Sequence, residues 1–188
     1  EALFSLFHQK TRNAARKGAK LGQRVERRTD EAAFAWMQGV HERSILALGG
    51  LPKPMSIFRA LRKELEPADG MRLYVGSLDG APVSGVLVLL YRDTVEYFTP
   101  VVEDAYKDRQ ALSDLIFRVM AELAREGYRL WNWGGTWRSQ EGVYRFKSRW
   151  GAHDRVYRYF GRTTAAFRAN GSAALAPHYP FFYLFKFS

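Results

Sequence analysis

Between residues 72 and 126 the hydrophobic period of the chain changes from two to 3.6, and that change limits what it can fold into more than any other feature. Residues 72–78 and 83–92 flank Asp79-Gly80-Ala81-Pro82 and predict a hairpin, and residues 95–99 add a third strand after the turn at Arg92-Asp93. Residues 108–126 then place Leu112, Leu115, Ile116, Val119, Met120 and Leu123 on one helical face, with Gly127 at the end. A sheet of consecutive antiparallel strands followed by a long amphipathic helix must bury one sheet face under that helix. The fold class is therefore α/β in the α+β sense.

The flanking segments extend this pattern. Residues 2–21 predict a basic amphipathic helix through Leu3, Leu6, Phe7, Ala14 and Leu21, and residues 23–28 a short strand. Asp30 can cap a helix running to about residue 46 that buries Phe34, Met37, Val40 and Ile45. Gly49-Gly50 and Pro52 stop it, and residues 55–65 form another helix before Pro67. Residues 129–133 and 155–161 are expected as strands.

Function is concentrated in Asn132-Trp133-Gly134-Gly135-Thr136 and the later Val-Tyr-Arg-Phe-Lys-Ser-Arg-Trp-Gly at 143–151. Two adjacent glycines after an apolar run let the backbone turn sharply and approach a ligand closely. Taken as extended, the following segment points Arg145, Lys147 and Arg149 one way and Tyr144, Phe146 and Ser148 the other. A charged edge strand would show the same alternation.

These residues resemble the late signature of the FemAB-like aminoacyltransferases, a branch of the GNAT-like acyltransferase superfamily. The matching positions are Gly134, Gly135, Gly142, Tyr144, Phe146, Lys147, Trp150 and Gly151. The basic stretch from Lys10 to Gly22 resembles the helix that opens the second GNAT-like domain of that family. The resemblance spans about residues 8 to 162. It implies a GNAT-like fold with a central mixed, largely antiparallel sheet flanked by helices. It also implies that residues 1–188 are a single such domain, the C-terminal one of a longer two-domain chain.

By the same resemblance, the chain transfers an aminoacyl or acyl group from an activated ester to an amine of a cell-wall or surface-polymer precursor. The implied partners are aminoacyl-tRNA, a phosphate-bearing precursor and the preceding GNAT-like domain. Lys147 is the implied catalytic residue, near the transferring group. Arg145 and Arg149 are assigned to phosphate or the acceptor stem, Gly134 and Gly135 to the pocket wall, and Tyr144 to substrate. Attack by an amine on an activated ester needs positioning and oxyanion stabilisation more than a strong base. Glu96, Glu103, Asp104 and Glu141 are all available as the base, with nothing in the sequence to separate them.

GNAT enzymes hold the acetyl-CoA pyrophosphate on a glycine-rich loop opening the long helix. The corresponding stretch here, residues 104–112, has no glycine. No cofactor is therefore expected, with acetyl-CoA or another acyl-CoA as the alternative donor. A domain that only binds RNA or anionic glycan is the non-enzymatic alternative.

The net charge of +10 is unevenly placed: residues 1–28 hold eight Lys or Arg against two carboxylates, and residues 138–168 hold the same. Such clustering points to a polyanionic partner. In the first cluster Arg12, Arg16 and Lys20 recur every four residues as one cationic stripe. Aromatics interleave in the second, which suits stacking on unpaired bases. There is no cysteine, and no apolar run reaches the ~18 residues of a spanning helix. A cytoplasmic location is expected, with peripheral membrane contact open through the apolar stretch at 180–187. His8, His41, His153 and His178 lack metal-ligand spacing, and neither a phosphate-cradling nucleotide loop nor a nucleophile elbow is present.

Overall fold

The computed structural model describes residues 2–136 and 140–156. Five strands form one sheet in the order β1 (Arg24–Arg28), β2 (Met71–Leu78), β3 (Ala81–Tyr91), β4 (Thr94–Val102) and β5 (Leu130–Asn132). The first four are antiparallel to their neighbours and β5 is parallel to β4. A parallel neighbour requires a crossover, and the helix α6 (Ala111–Arg125) supplies it. The expected mixed, largely antiparallel sheet flanked by helices is thus present.

Helices cover both faces. On one side α3 (Glu31–Ala47) and α4 (Met55–Leu65) bury Phe34, Met37, Val40 and Phe58 against Leu73, Val75, Leu87 and Phe98. Asp30 caps α3 as expected, its Oδ1 accepting from Ala33 N at 3.0 Å. On the other side α6 packs Leu115, Ile116, Val119 and Leu123 against Tyr74, Val86, Val88 and Tyr97. Among the described residues no helix is long and apolar enough to cross a membrane.

The basic amino-terminal helix is two helices, α1 (Ala2–Ser5) and α2 (Gln9–Ala19). The break lets Phe7 turn inward to 2 % exposure, and His8 caps α2 through Nδ1, which accepts from Lys10 N. A short helix α5 (Asp104–Lys107) precedes α6. The expected extended segment at 143–151 is instead a helix, α7 (Glu141–Ser148). Phe146 and Trp150, one helical turn apart, pack together with ring centroids 6.1 Å apart, and Trp133 meets both. Burial of that aromatic pair decides the period. Most of the strand expected at 155–161 and the whole apolar stretch at 180–187 lie outside the described residues.

A buried polar network ties the start of α6 to the sheet. Gln23 Nε2 donates to Ala111 O at 2.7 Å and Asp114 Oδ2 at 2.9 Å, while its Oε1 accepts from Ser84 Oγ at 2.7 Å. Arg118 Nε donates to the other carboxylate oxygen of Asp114 at 3.0 Å. The Gln23 amide and both oxygens of Asp114 thus have partners, which such burial demands.

Candidate active site

β5 stays beside β4 only over the pairs Thr94 with Leu130, Val95 with Trp131 and Glu96 with Asn132. It then ends while β4 continues to Val102, so the two strands part immediately after Glu96. A bulge lies just beyond: Tyr97 opposes Val88 and Thr99 opposes Leu87, leaving Phe98 as the extra residue of β4. Glu96 opposes Leu89, which packs on the α3–α4 cluster, so its carboxyl projects on that face of the sheet.

The backbone leaving β5 folds over this carboxyl. Asn132 Oδ1 accepts from Gly134 N at 3.0 Å, and Gly134 takes φ +67°. A Cβ at Gly134 would stand 3.2 Å from Glu96 Oε1, so both the backbone angle and the space favour glycine there. Gly135 is exposed with open space around it.

Lys147 reaches this turn from α7. Its Nζ donates to Gly134 O at 3.3 Å, Gly135 O at 3.1 Å and Thr136 Oγ1 at 3.0 Å, which uses all three ammonium protons. Burial lowers the lysine pKa, opposed by the attraction of Glu96. Burial likewise pushes Glu96 up to about 7, opposed by Lys147. The carboxyl therefore titrates near neutrality, where a group can both take and release a proton.

On the α6 face of the sheet, Trp133 and Phe146, the neighbours of Gly134 and Lys147 in sequence, join an aromatic cluster. Trp133 meets Tyr97 at 4.8 Å and Phe146 at 6.0 Å between ring centroids, and Phe7 meets Trp150 at 5.0 Å. Glu103 is taken up by Trp36 Nε1 and Arg43, and Asp104 by Lys107. Glu141 is exposed at the start of α7. Of the four carboxylates available as a base, the fold sets Glu96 apart. No local sequence signal could have done so, because the turn and the lysine that surround it come from far along the chain.

The remaining expected site residues divide. In the helix Arg145 and Arg149 are a turn apart, and both border a cavity of about 170 Å³ with Lys10, Thr11 and Ser113. Lys147 departs from them toward the Gly134 turn, correcting the single row of three cations. Tyr144 is half exposed and donates its hydroxyl to Asp154 Oδ2 at 3.0 Å, so it does not face inward. In the stripe, Arg12 donates to Phe7 O at 2.6 Å, and Arg16 lies over the Phe4 ring at 5.1 Å. Lys20 is exposed just past the end of α2.

The start of α6 is built unlike a glycine loop. Gln110 itself takes φ +66°, and α2 crosses directly over it. A Cβ on Gly18 would overlap Gln110 O and stand 2.8 Å from Asp114 Cβ. Helix α2 thus occupies the space beside the residue that opens α6. Among the described residues no group of three or more His, Asp or Glu is placed to hold a metal. His41 Nε2 instead accepts from Lys53 N at 3.0 Å.

Comparisons with known proteins agree with this architecture. Similar solved structures include FemX, with TM-score 0.73 and 16% identity over 80% of this chain and 55% of that one. The chain thus spans about half the length of FemX. The aminoglycoside acetyltransferase AAC(6')-Iy, in complex with a CoA-linked bisubstrate analogue, matches with TM-score 0.57 and 15% identity over 75% of this chain and 99% of that one. The ribosomal-protein-S18-alanine N-acetyltransferase of Escherichia coli matches with TM-score 0.51 and 12% identity over 66% and 76%. No curated protein sequence matches the chain. The model of the acetyltransferase (GNAT) domain family matches residues 5–148, which together with the splayed strands makes this chain a member of the GNAT family.

Proposed function

We propose that the chain catalyses FemAB-like transfer of an aminoacyl or acyl group from an activated ester, aminoacyl-tRNA, to an amine of a cell-wall or surface-polymer precursor. The observation that carries this reading is the Glu96–Gly134–Lys147 arrangement at the parting of β4 and β5. The amine nitrogen attacks the ester carbonyl, the C–N bond forms, and the C–O bond breaks with a proton passing to the departing oxygen. Glu96 takes the proton released by the amine. Lys147 has no spare N–H, so it acts by placing a positive charge beside the oxyanion and by holding the Gly134–Gly135 turn in shape. Two features favour an ester donor over acyl-CoA. Residues 104–112 contain no glycine, and α2 lies across Gln110 where a diphosphate would need backbone N–H groups.

Acyl-CoA remains the second reading, because AAC(6')-Iy, which shares the fold, has been solved with a CoA-linked ligand. Transfer assays on the purified chain, with aminoacyl-tRNA or acetyl-CoA as donor and a panel of amine acceptors, separate the two. The expected result is transfer from aminoacyl-tRNA that falls about a hundredfold in Lys147→Met. Transfer from acetyl-CoA alone would replace this reading with the second.

A further inference from the structure

The acceptors that Lys147 holds fix the direction of two groups it does not touch. Gly134 O and Gly135 O both face its Nζ, at 3.3 and 3.1 Å. In a trans peptide unit the carbonyl and the N–H point opposite ways. The unit joining Gly134 to Gly135 therefore aims the Gly135 N–H away from the ammonium, and the unit joining Gly135 to Thr136 does the same with the Thr136 N–H. Two successive N–H groups thus share one side of the turn. Among the described residues neither meets an acceptor. The space beside them is open: Gly135 is exposed, and a Cβ on it would meet nothing within 4 Å. The residue before them stands against the acid of the site, with a Cβ at Gly134 falling 3.2 Å from Glu96 Oε1.

We infer that the backbone N–H groups of Gly135 and Thr136 form the hole that receives the carbonyl oxygen of the acyl donor, and that Lys147 is the residue that positions them. Successive N–H groups on one side of a turn make a concave site for an anionic oxygen. This turn is fixed before any substrate arrives. Asn132 Oδ1 accepts from Gly134 N at 3.0 Å, Lys147 Nζ donates to Thr136 Oγ1 at 3.0 Å, and Gly134 holds φ +67°. Donors held in this way stabilise charge without reorganising as it develops. The ammonium also polarises both peptide units through their carbonyls, which strengthens the N–H on the far side of each. As the amine lone pair forms the C–N bond, the carbonyl π pair moves onto oxygen and is met by the two N–H groups. It returns when the C–O bond breaks. The inference deepens the proposed acyl transfer and rests on it, and it gives a use to a lysine whose own protons are all engaged by the protein.

The test joins a binding readout to a kinetic one. Methylphosphonate, an anion with tetrahedral oxygens, is titrated against the labelled chain at pH 6, where Glu96, with its pKa at about 7, carries its proton. The amide protons of Gly135 and Thr136 are expected to move downfield together and to saturate, while those of Gly80 and Gly127 in other turns stay in place. Lys147→Met should abolish the response in a chain that still melts cooperatively. Absence of the shift in the wild-type chain, or its survival in folded Lys147→Met, overturns the inference. In the kinetic arm glycolic acid replaces Gly135 and, separately, the α-hydroxy counterpart of threonine replaces Thr136, so that each N–H becomes an ester oxygen. Each is expected to lower kcat for transfer from aminoacyl-tRNA by about a hundredfold and to leave KM within about twofold. If both ester variants keep full kcat, the oxyanion is held elsewhere and the inference fails while the transferase reading stands. If both amides answer methylphosphonate but neither aminoacyl-tRNA nor acetyl-CoA supports transfer, the anion-binding pair stands and the transferase reading fails.

Discussion

At the scale of single residues, Glu96 and Lys147 make opposite demands on pH. Glu96 has its folded pKa raised to about 7 by burial, so the folded state prefers the protonated carboxyl and stability falls as pH rises from the ordinary carboxylate range through about 7. The proposed transfer step, by contrast, would use the ionised carboxylate as its base and should rise over the same window. Glu96→Gln is expected to lower the transfer rate by a factor of about 10²–10⁴ and to flatten its pH dependence below about 7, while making the melting temperature less sensitive to pH. A pH–rate profile beside a pH–melting series checks both. A variant that loses activity but keeps the inflection near 7 would assign that titration to another group. Lys147→Met should keep the apolar stem and lose the charge, and Lys147→Arg should recover folding better than rate, because a planar fork does not fit three acceptors around one nitrogen.

At the scale of elements, α7 and the contact of α2 with α6 carry the most testable energetics. Phe146→Ala removes a ring set against both Trp133 and Trp150 and should cost about 2 kcal/mol, less than a fully enclosed phenylalanine because Phe146 keeps partial exposure. Gly18→Ala should cost roughly 1–3 kcal/mol, since the added methyl meets the backbone of Gln110, which cannot swing away. Denaturant unfolding measures both. If Gly18→Ala is neutral, α2 sits less tightly on α6 than the structure shows. The same elements mark what the sequence could and could not disclose. Asp30 before α3, the Asp79-Gly80 hairpin and the apolar stripe of α6 were legible because their signals are local. Helix α7 was not: Tyr144, Phe146 and Ser148 alternate with basic residues in a strand-like way, and the decisive evidence is the distant Trp133 that the Phe146–Trp150 pair buries. The Gly134 turn and Lys147 stand out in the sequence, yet their joint target, Glu96, was only one of four carboxylates until the fold set it beneath them.

For the whole molecule, the +10 charge divides between two uses. Part of the amino-terminal cluster is spent inside the chain, Arg24 and Arg28 on Glu26 and Arg12 on a backbone carbonyl. Lys10 instead lines the cavity between α2, α6 and α7 together with Arg145 and Arg149 from the far cluster. Replacing Arg12, Arg16 and Lys20 together by Gln is therefore expected to lower the slope of log affinity against log salt for an RNA oligonucleotide by less than about 1. Replacing Lys10, Arg145 and Arg149 together by Gln should lower it by about 2, at roughly 0.7 for each single-strand phosphate that the protein no longer neutralises. A stripe effect as large as the cavity effect would move the main contact onto α2.

The stitch between the two ends of the described chain reaches further than its size suggests. His8 N donates to Arg149 O at 2.9 Å, Phe7 meets Trp150, and Gly151 passes so close to Leu6 O that a Cβ would stand 3.0 Å away. These contacts join residues almost as far apart in sequence as the described chain permits, so they close the longest loop and form late during folding. The sheet and α6 can assemble before them, and they anchor the carboxyl end of α7, the helix that carries Lys147. Amide exchange should accordingly show α7 and the Gly134 turn opening together with residues 6–8, as one cooperative unit less protected than β2 and β3.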